Sequence, residues 1–473
     1  MQVVIIGGGI SGLATAFWLQ QAARAAGRPL SLTVLEEEPQ VGGKIRSLRS
    51  DEGYLCEWGP NGFLDGKPAT LDLCRQLELG DALLRSDDNA RRRFIYAREQ
   101  LHQVPENAVA FLRSGLISGP GKLRMVAEIA LPPRRDTSDE SLADFCRRRL
   151  GREALDRLVG PMVSGIFAGD PETMSLRSCF PRIHQLEVEY GGLFRAMLRL
   201  ARQRRAARRS GQAVASASGP AGVLTSFADG LQELPDRLQR VLGNQVQVAA
   251  AVTALEPTAG GFQLQLADGR QLAAEVVVSA IPAYRLAALV QGFDQGMAAL
   301  LEQIPYAPLQ VACFGYCRQS IAHNLNGFGY LMARPNPTPL LGTLWDSSIF
   351  ARRAPQDNVL LRSMLGGATQ PQVAEWDSDR VTAETAAVLR QTMGIGADPD
   401  FVQIFRHHRA IPQYLVGHGA RLQSLQQCAA RHPGLFFTGN AFFGIGLNDC
   451  VAAAQRTATA ILQRGSDGQP TQN

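Results

Sequence analysis

Lysine is almost absent from this sequence: Lys44, Lys67 and Lys122 are the only three among 48 basic residues, so arginine carries nearly all the positive charge. Arginine's planar fork suits carboxylate and phosphate better than a lysine point charge does. No run of about 18 uninterrupted apolar residues occurs, which argues against a membrane-spanning helix and leaves open a protein that lies on a membrane. The eight cysteines (Cys56, Cys74, Cys146, Cys179, Cys313, Cys317, Cys428 and Cys450) are scattered. Their nearest pair, Cys313 and Cys317, has neither redox nor zinc spacing, so reduced and mostly buried thiols are expected. Blocks of one charge are also missing. A formal charge of +5 spread over the chain excludes a nucleic-acid arm and fits an anionic small molecule or membrane surface. The first residues enter a strand-like run, Val3 to Ile6, without the features of a signal peptide, so a cytoplasmic location is expected.

What is present is the length and composition of a soluble globular protein: 473 residues, 45% apolar and 19% charged, enough for two or three domains. The run QVVIIGGGISGLATAFWLQQA reads as strand, glycine turn and helix, and LSLTVLEEE as the next strand, together a βαβ unit. Strand patterns return at QVQVAAAVTALE, GFQLQLADGRQL and EVVVSAIPA, with Asp268-Gly269 as a hairpin turn. Between them, helical patterns such as SLADFCRRRLGREALDRLVGPMVSGIF predominate. The expected class is α/β plus α+β, with a Rossmann-type cofactor domain, a sheet-based substrate domain and a helical insertion. The cofactor domain is expected from residues 1–86, 222–290 and 405–470, and the substrate domain from 87–98 and 291–404. Residues 99–205 form the insertion and 206–221 a flexible loop, inside a basic then small-residue stretch from Ala201 to Val223. The tail after residue 463 should fray.

Gly7, Gly9 and Gly12, with Gly8, Ile10 and Ser11 between them, form G-x-G-x-x-G between a strand and a helix. That spacing lets the backbone turn tightly and approach a pyrophosphate at the helix N-terminus. Glu36, 24 positions beyond Gly12, closes the second strand beside Glu37, where a carboxylate can accept from adenosine ribose hydroxyls. The bland alternative is a glycine turn with a chance acid. Gly42, Gly43 and Lys44 follow, a second glycine pair of the kind that passes close to a flavin diphosphate in glutathione-reductase-type and amine-oxidase-type flavoproteins. Gly59, Pro60, Asn61 and Gly62 offer another backbone approach, or a simple turn. Near the other end, Phe436 to Asn440 reads as a strand entering a glycine loop. Gly444, Ile445 and Gly446 then open the last helix, whose amides can face the electron-rich pyrimidine edge of a flavin. Asn448 or Asp449 can equally cap that helix, and the two roles are compatible.

With these motifs the chain resembles the oxygen-dependent protoporphyrinogen oxidases of the amine-oxidase-like flavoprotein superfamily, over nearly its whole length. The stretches Arg93 to Tyr96, Gly165 to Asp170, Leu176 to Pro181, Ser279 to Pro282, Met364 to Gly367, Ile411 to Tyr414 and Gly417-His418 carry the resemblance beyond the cofactor motifs. It implies non-covalent FAD held by Gly7 to Gly12, Glu36, Lys44, Gly59 to Gly62, Val252 and Gly444 to Gly446. It implies a porphyrinogen pocket in which Arg93 pairs with a propionate, Phe328, Leu331 and Met364 sandwich the ring, and Gly169 lies beside it. Apolar walls with a few guanidinium anchors are what a large flat ring with carboxylates at one edge requires. Asn61 stands where certain members carry arginine, which puts a second propionate anchor in doubt, and Gly419 where some carry tryptophan.

The implied reaction is the six-electron oxidation of protoporphyrinogen IX to protoporphyrin IX, with oxygen as acceptor and hydrogen peroxide as by-product. No protein residue is expected to act as acid, base or nucleophile, since a hydride passes directly to the flavin and the protein mainly orients the macrocycle. No metal site is expected, because His407 and His408 alternate across a strand. Coproporphyrinogen III is the alternative substrate, and an amine the more distant one; a homodimer is left open. Ala108 to Leu112 with Leu116 and Ile117, near Arg113, Lys122 and Arg124, reads either as an interfacial segment on the inner face of an anionic membrane or as the insertion's own core.

Overall fold

The computed structural model describes residues 1–464 apart from 135, 137 and 210–221. The expected βαβ unit is present as β1 (Gln2–Ile6), α1 (Ile10–Ala25) and β2 (Ser31–Leu35). A five-stranded sheet is ordered Val246–Gln247, β2, β1, Val276–Ser279, Leu435–Phe437, and all its pairings are parallel. Strands covered on both faces read as apolar runs, and Val3 to Ile6 and Val276 to Ser279 are buried throughout. Alternation sorts them: Val3 and Ile5 join Leu13 and Phe17 of α1 and Val451 of the last helix, Leu447–Arg464. Val4 and Ile6 join Leu264, Val277 and Leu286 on the other side. Asp268-Gly269 makes the expected hairpin between Gly261–Leu266 and Gln271–Ala274, with Gly269 at φ +87°.

A seven-stranded sheet is ordered Phe401–Pro412, Tyr306–Cys317, Asn358–Gly366, Leu340–Leu344, Gly329–Met332, Arg93–Ala97, Gln100–Gln103. Its two outer strands depart from the expected division. Gln100–Gln103 pairs with Arg93–Ala97 instead of opening the insertion, and Phe401–Pro412 pairs with Tyr306–Cys317 instead of starting the cofactor domain. In both cases backbone pairing extends past the point where the sequence pattern changes.

Residues 108–209 are mainly helical. Fully buried Arg149 is ion-paired with fully buried Glu128, whose carboxylate also accepts the amides of Leu193 and Phe194 at the start of the helix Leu193–Arg209. That helix corrects the expectation of an irregular segment from 201 and a loop from 206: alanine, arginine and glutamine are strong helix formers and carry it to Arg209. The rest of the expected loop, and the tail from 465, lie outside the described residues.

Candidate functional site

The glycine fingerprint folds into two facing loops. Gly7 has φ +109°, and a Cβ on Gly12 would lie 1.9 Å from the Gly7 carbonyl oxygen, so that glycine lets α1 close onto β1. Gly42 donates to the Gly8 carbonyl, which lays the second glycine pair along the first. Between the loops the chain leaves space: a Cβ on Gly9 would find only the Gly43 Cα, at 3.9 Å. The amides of Ser11 and Gly12 have no acceptor among the described residues, and no acidic side chain occupies the first turn of α1.

Glu36 is buried, and its carboxylate accepts the Gly8 amide at 2.6 Å and the Glu38 amide at 3.0 Å. Burial raises its pKa, against those two bonds. Each oxygen retains a second lone pair for a hydroxyl donor. Residues 247–252 run beside it, Ala250 donating to the Glu36 carbonyl, which brings Val252 close to the same place. Glu37 points elsewhere, exposed and 3.5 Å from Arg285. Lys44 is exposed; partial desolvation, then Arg46, lowers its pKa, and it has no ion-pair partner among the described residues.

Gly59 and Gly62 are needed for contact within the protein: a Cβ would meet the Lys44 carbonyl at 2.6 Å and the Thr225 carbonyl at 2.5 Å respectively. Pro60 is exposed between them. Asn61 is buried and donates to Asp346 at 3.2 Å, so its amide nitrogen is committed to the protein.

At the last helix, Asn448 and Asp449 tie it to the segment 64–70: Asn448 accepts from the Thr70 amide, and Asp449 pairs with Lys67 at 2.7 Å. Capping therefore does not consume the free amides there. Gly444 donates to the Tyr414 hydroxyl at 3.0 Å, while the amides of Ile445, Gly446, Leu447 and Asn448 have no acceptor among the described residues. Four consecutive free donors at a helix N-terminus make a seat for an electron-rich group. Sequence reasoning found the glycines but missed Tyr414, thirty residues upstream of Gly444, because no periodic pattern marks such a contact.

The expected pocket residues converge on one face of the seven-stranded sheet. Leu331 pairs with Ile95 on one side and Gly342 on the other, and Gly342 pairs with Met364. Arg93 lies two residues before Ile95, so it shares their face. Its guanidinium is 5.2 Å from the Phe328 ring. Arg93 is exposed and has no ion pair or hydrogen bond among the described residues, and partial desolvation alone lowers its pKa. Arg362, two residues before Met364, sends its guanidinium to the Gly59 carbonyl at 2.7 Å, which turns this face towards the loop 57–62. Gly169 is buried and closely packed: a Cβ there would meet the Met174 sulfur at 2.2 Å and Gln413 at 2.8 Å. His407 and His408 alternate, the first buried and donating from Nε2 to the Trp58 carbonyl, the second exposed.

Residues 10–462 match the model of the family described as flavin containing amine oxidoreductase. The chain belongs to that family. A coproporphyrinogen III oxidase of Bacillus subtilis (strain 168) is 30% identical over 97% of each chain. A chloroplastic protoporphyrinogen oxidase of Oryza sativa subsp. japonica is 31% identical over 97% of this chain and 87% of the relative. A solved structure from Exiguobacterium sp. 255-15, provisionally named protoporphyrinogen oxidase, superposes with TM-score 0.82 at 26% identity, covering 98% and 99% of the two chains.

This flavin containing amine oxidoreductase is an FAD-dependent enzyme, and its residues fit the cofactor. Space between Gly9 and Gly43, free amides on α1 and the Lys44 cation suit a pyrophosphate. Glu36 suits the ribose, and the second array of free amides suits the pyrimidine edge of the flavin.

Proposed function

We propose that this enzyme oxidises protoporphyrinogen IX to protoporphyrin IX in haem biosynthesis, passing six electrons to oxygen with formation of hydrogen peroxide. Porphyrinogen oxidation as a class rests on the named activities of its full-length relatives. The observation that carries the reading at the level of this chain is the unpaired, exposed Arg93 guanidinium on the same sheet face as Leu331 and Met364. An unpaired, accessible guanidinium beside apolar walls suits an anionic ligand with a large apolar body. Bound FAD supplies the acceptor for three successive two-electron oxidations. The protein's part is orientation: Arg93 anchors one carboxylate edge, and Leu331 and Met364 set the ring plane.

Coproporphyrinogen III is the second reading, supported by the Bacillus subtilis relative. Anaerobic mixing with each porphyrinogen, following flavin bleaching, separates the two. Bleaching by protoporphyrinogen at a rate above that with coproporphyrinogen supports the first, the reverse order the second, and bleaching by neither removes both.

A membrane surface as partner also belongs to this proposal. No helix among the described residues is long and apolar enough to cross a membrane. The segment named above divides: Leu116 and Ile117 are in the core, whereas Val109 and Leu112 are 57% and 65% exposed, as is Leu123 beyond it at 74%. Lys122 and Arg124 are turned inward, donating to backbone carbonyls of residues 112, 114 and 147–149. Arg113 remains exposed beside the apolar side chains. Peripheral contact by apolar side chains, with a smaller electrostatic part than the sequence suggests, is the form this would take.

A further inference from the structure

Tyr414 follows the edge strand Phe401–Pro412 and is 3% exposed. Its hydroxyl donates to the Asn440 carbonyl and accepts the Gly444 amide, so it joins both ends of the turn that leads into the last helix. A phenol has one proton to donate and room to accept, and both are used here. Gly444, at φ +111°, has backbone geometry that only glycine adopts readily, and Cys450 reaches back to its carbonyl, so the turn has little freedom of its own once the hydroxyl holds it. Immediately beyond that clamp come the four free amides of Ile445 to Asn448.

The ring of His418 stacks on Tyr414, centroids 4.2 Å apart and planes within 13°. Both of its nitrogens are buried without a partner, and burial lowers its pKa to about 4, so it is a neutral wall. Asp139 and Arg421 are the charged groups around it, and Asp449, beside the turn, is held by Lys67. The turn therefore has a rigid neutral support and one hydroxyl that sets where its amides point.

We propose that Tyr414 is a positioning residue: its hydroxyl fixes the Asn440–Gly444 turn so that the amides of Ile445 to Asn448 converge on the pyrimidine edge of the flavin and stabilise the negative charge gained there on reduction. Preorganised amides aimed at developing charge need no reorganisation when it appears, and a turn left free to tilt loses that advantage. The inference rests on the flavin assignment and is independent of which porphyrinogen is the substrate.

The test is the Tyr414→Phe holoenzyme, with sulfite as probe, because its adduct at flavin N5 places negative charge on the same pyrimidine edge. The sulfite Kd should rise about tenfold, and the two-electron potential measured by dye equilibration should fall by the equivalent ~30 mV. FAD affinity of the apoprotein should change less than threefold, since the pyrophosphate seat is elsewhere. His418→Phe, which keeps the stacked wall, should leave the sulfite Kd unchanged. For a readout that does not depend on Tyr414→Phe folding, 3-fluorotyrosine at position 414, a weaker acceptor of nearly the same size, should raise the Kd at least twofold. An unchanged sulfite Kd in a flavin-loaded Tyr414→Phe or fluorotyrosine protein would overturn the proposal. So would a rise in His418→Phe equal to that in Tyr414→Phe, because packing would then account for both.

Discussion

Replacing Arg93 by alanine isolates the substrate anchor from everything else in the fold. Its guanidinium has no carboxylate partner among the described residues, so the change breaks no ion pair; it removes an exposed cation and the contact with Phe328, 5.2 Å away. The stability cost should therefore stay near ~0.5–1 kcal/mol, the scale of such a cation–ring contact. Substrate use should suffer more. A charge-assisted hydrogen bond to a partly desolvated propionate contributes about 1.5–3 kcal/mol, or about one to two decades in kcat/KM. A carboxylate remote from the reacting carbon is bound in ground and transition states alike, so most of the loss should fall on KM. Arg93→Lys keeps the charge but loses the fork and should fall between. The assay is porphyrin fluorescence under steady state, with flavin content and thermal midpoint measured on the same samples. An Arg93→Ala enzyme with full flavin and unchanged kcat/KM for both porphyrinogens would refute the placement of Arg93 in the pocket. Loss of flavin in parallel with activity would refute the reasoning about separate seats.

Gly9→Val should leave the protein without FAD, since a branched side chain fills the space between Gly9 and Gly43; full flavin occupancy in the purified variant would show that the pyrophosphate lies elsewhere. Denaturation with acid should release the flavin intact, because Cys450 is buried with its thiol pKa pushed up to about 12, which makes it a poor nucleophile. Flavin fluorescence remaining with the precipitated protein is the contrary result. Leu112→Asp and Leu123→Asp should lower flotation with liposomes while leaving turnover in detergent unchanged; equal flotation of wild type and variants, or none by wild type, removes this surface as the contact. Arg362→Met should destabilise the fold by about 3–5 kcal/mol in denaturant melts, because Asp346, 2.8 Å away and fully buried, is left with an uncompensated charge. A melt within 1 kcal/mol of wild type, on the order of error for such measurements, would place that pair outside the stabilising framework.

The sequence made the cofactor domain legible because its signals are local. A buried strand, three glycines at fixed spacing and an acid at the end of the next strand each act within one βαβ unit, where chain connectivity alone brings them together. The pocket face was legible only through resemblance. Arg93, Leu331 and Met364 come from three strands spread over 272 positions, and nothing in their own segments says that their registers align. Two contacts of expected site residues were invisible for the same reason. Asn61 faces Asp346, 285 positions away, and the Gly444 amide faces Tyr414; hydrogen-bond partners so distant leave no trace in a local pattern. The irregular stretch expected from Ala201 failed differently, since its composition was read as exposed and mobile while its residue types favour helix to Arg209.

The buried charges explain how the seven-stranded sheet meets the loop 57–62. Glu57, fully buried, lies 3.4 Å from fully buried Arg353 and accepts from Ser47 and the Leu231 amide. Beside it Arg362 pairs with Asp346 and donates to the carbonyls of Glu57 and Gly59, while Asn61 reaches Asp346. Burying four charges contributes little net stability, because desolvation offsets most of the attraction. What such a cluster does well is penalise every other arrangement, since shifting the strand of Arg362 by a residue would strand a charge in the interior. Met364 stands on the same strand face as Arg362, and Gly59 belongs to the glycine loop. The cluster therefore holds the pocket wall and that loop in one register, and a ring seated against Leu331 and Met364 meets the loop at a fixed depth. A reaction whose protein contribution is orientation needs that fixity more than it needs any single acid or base.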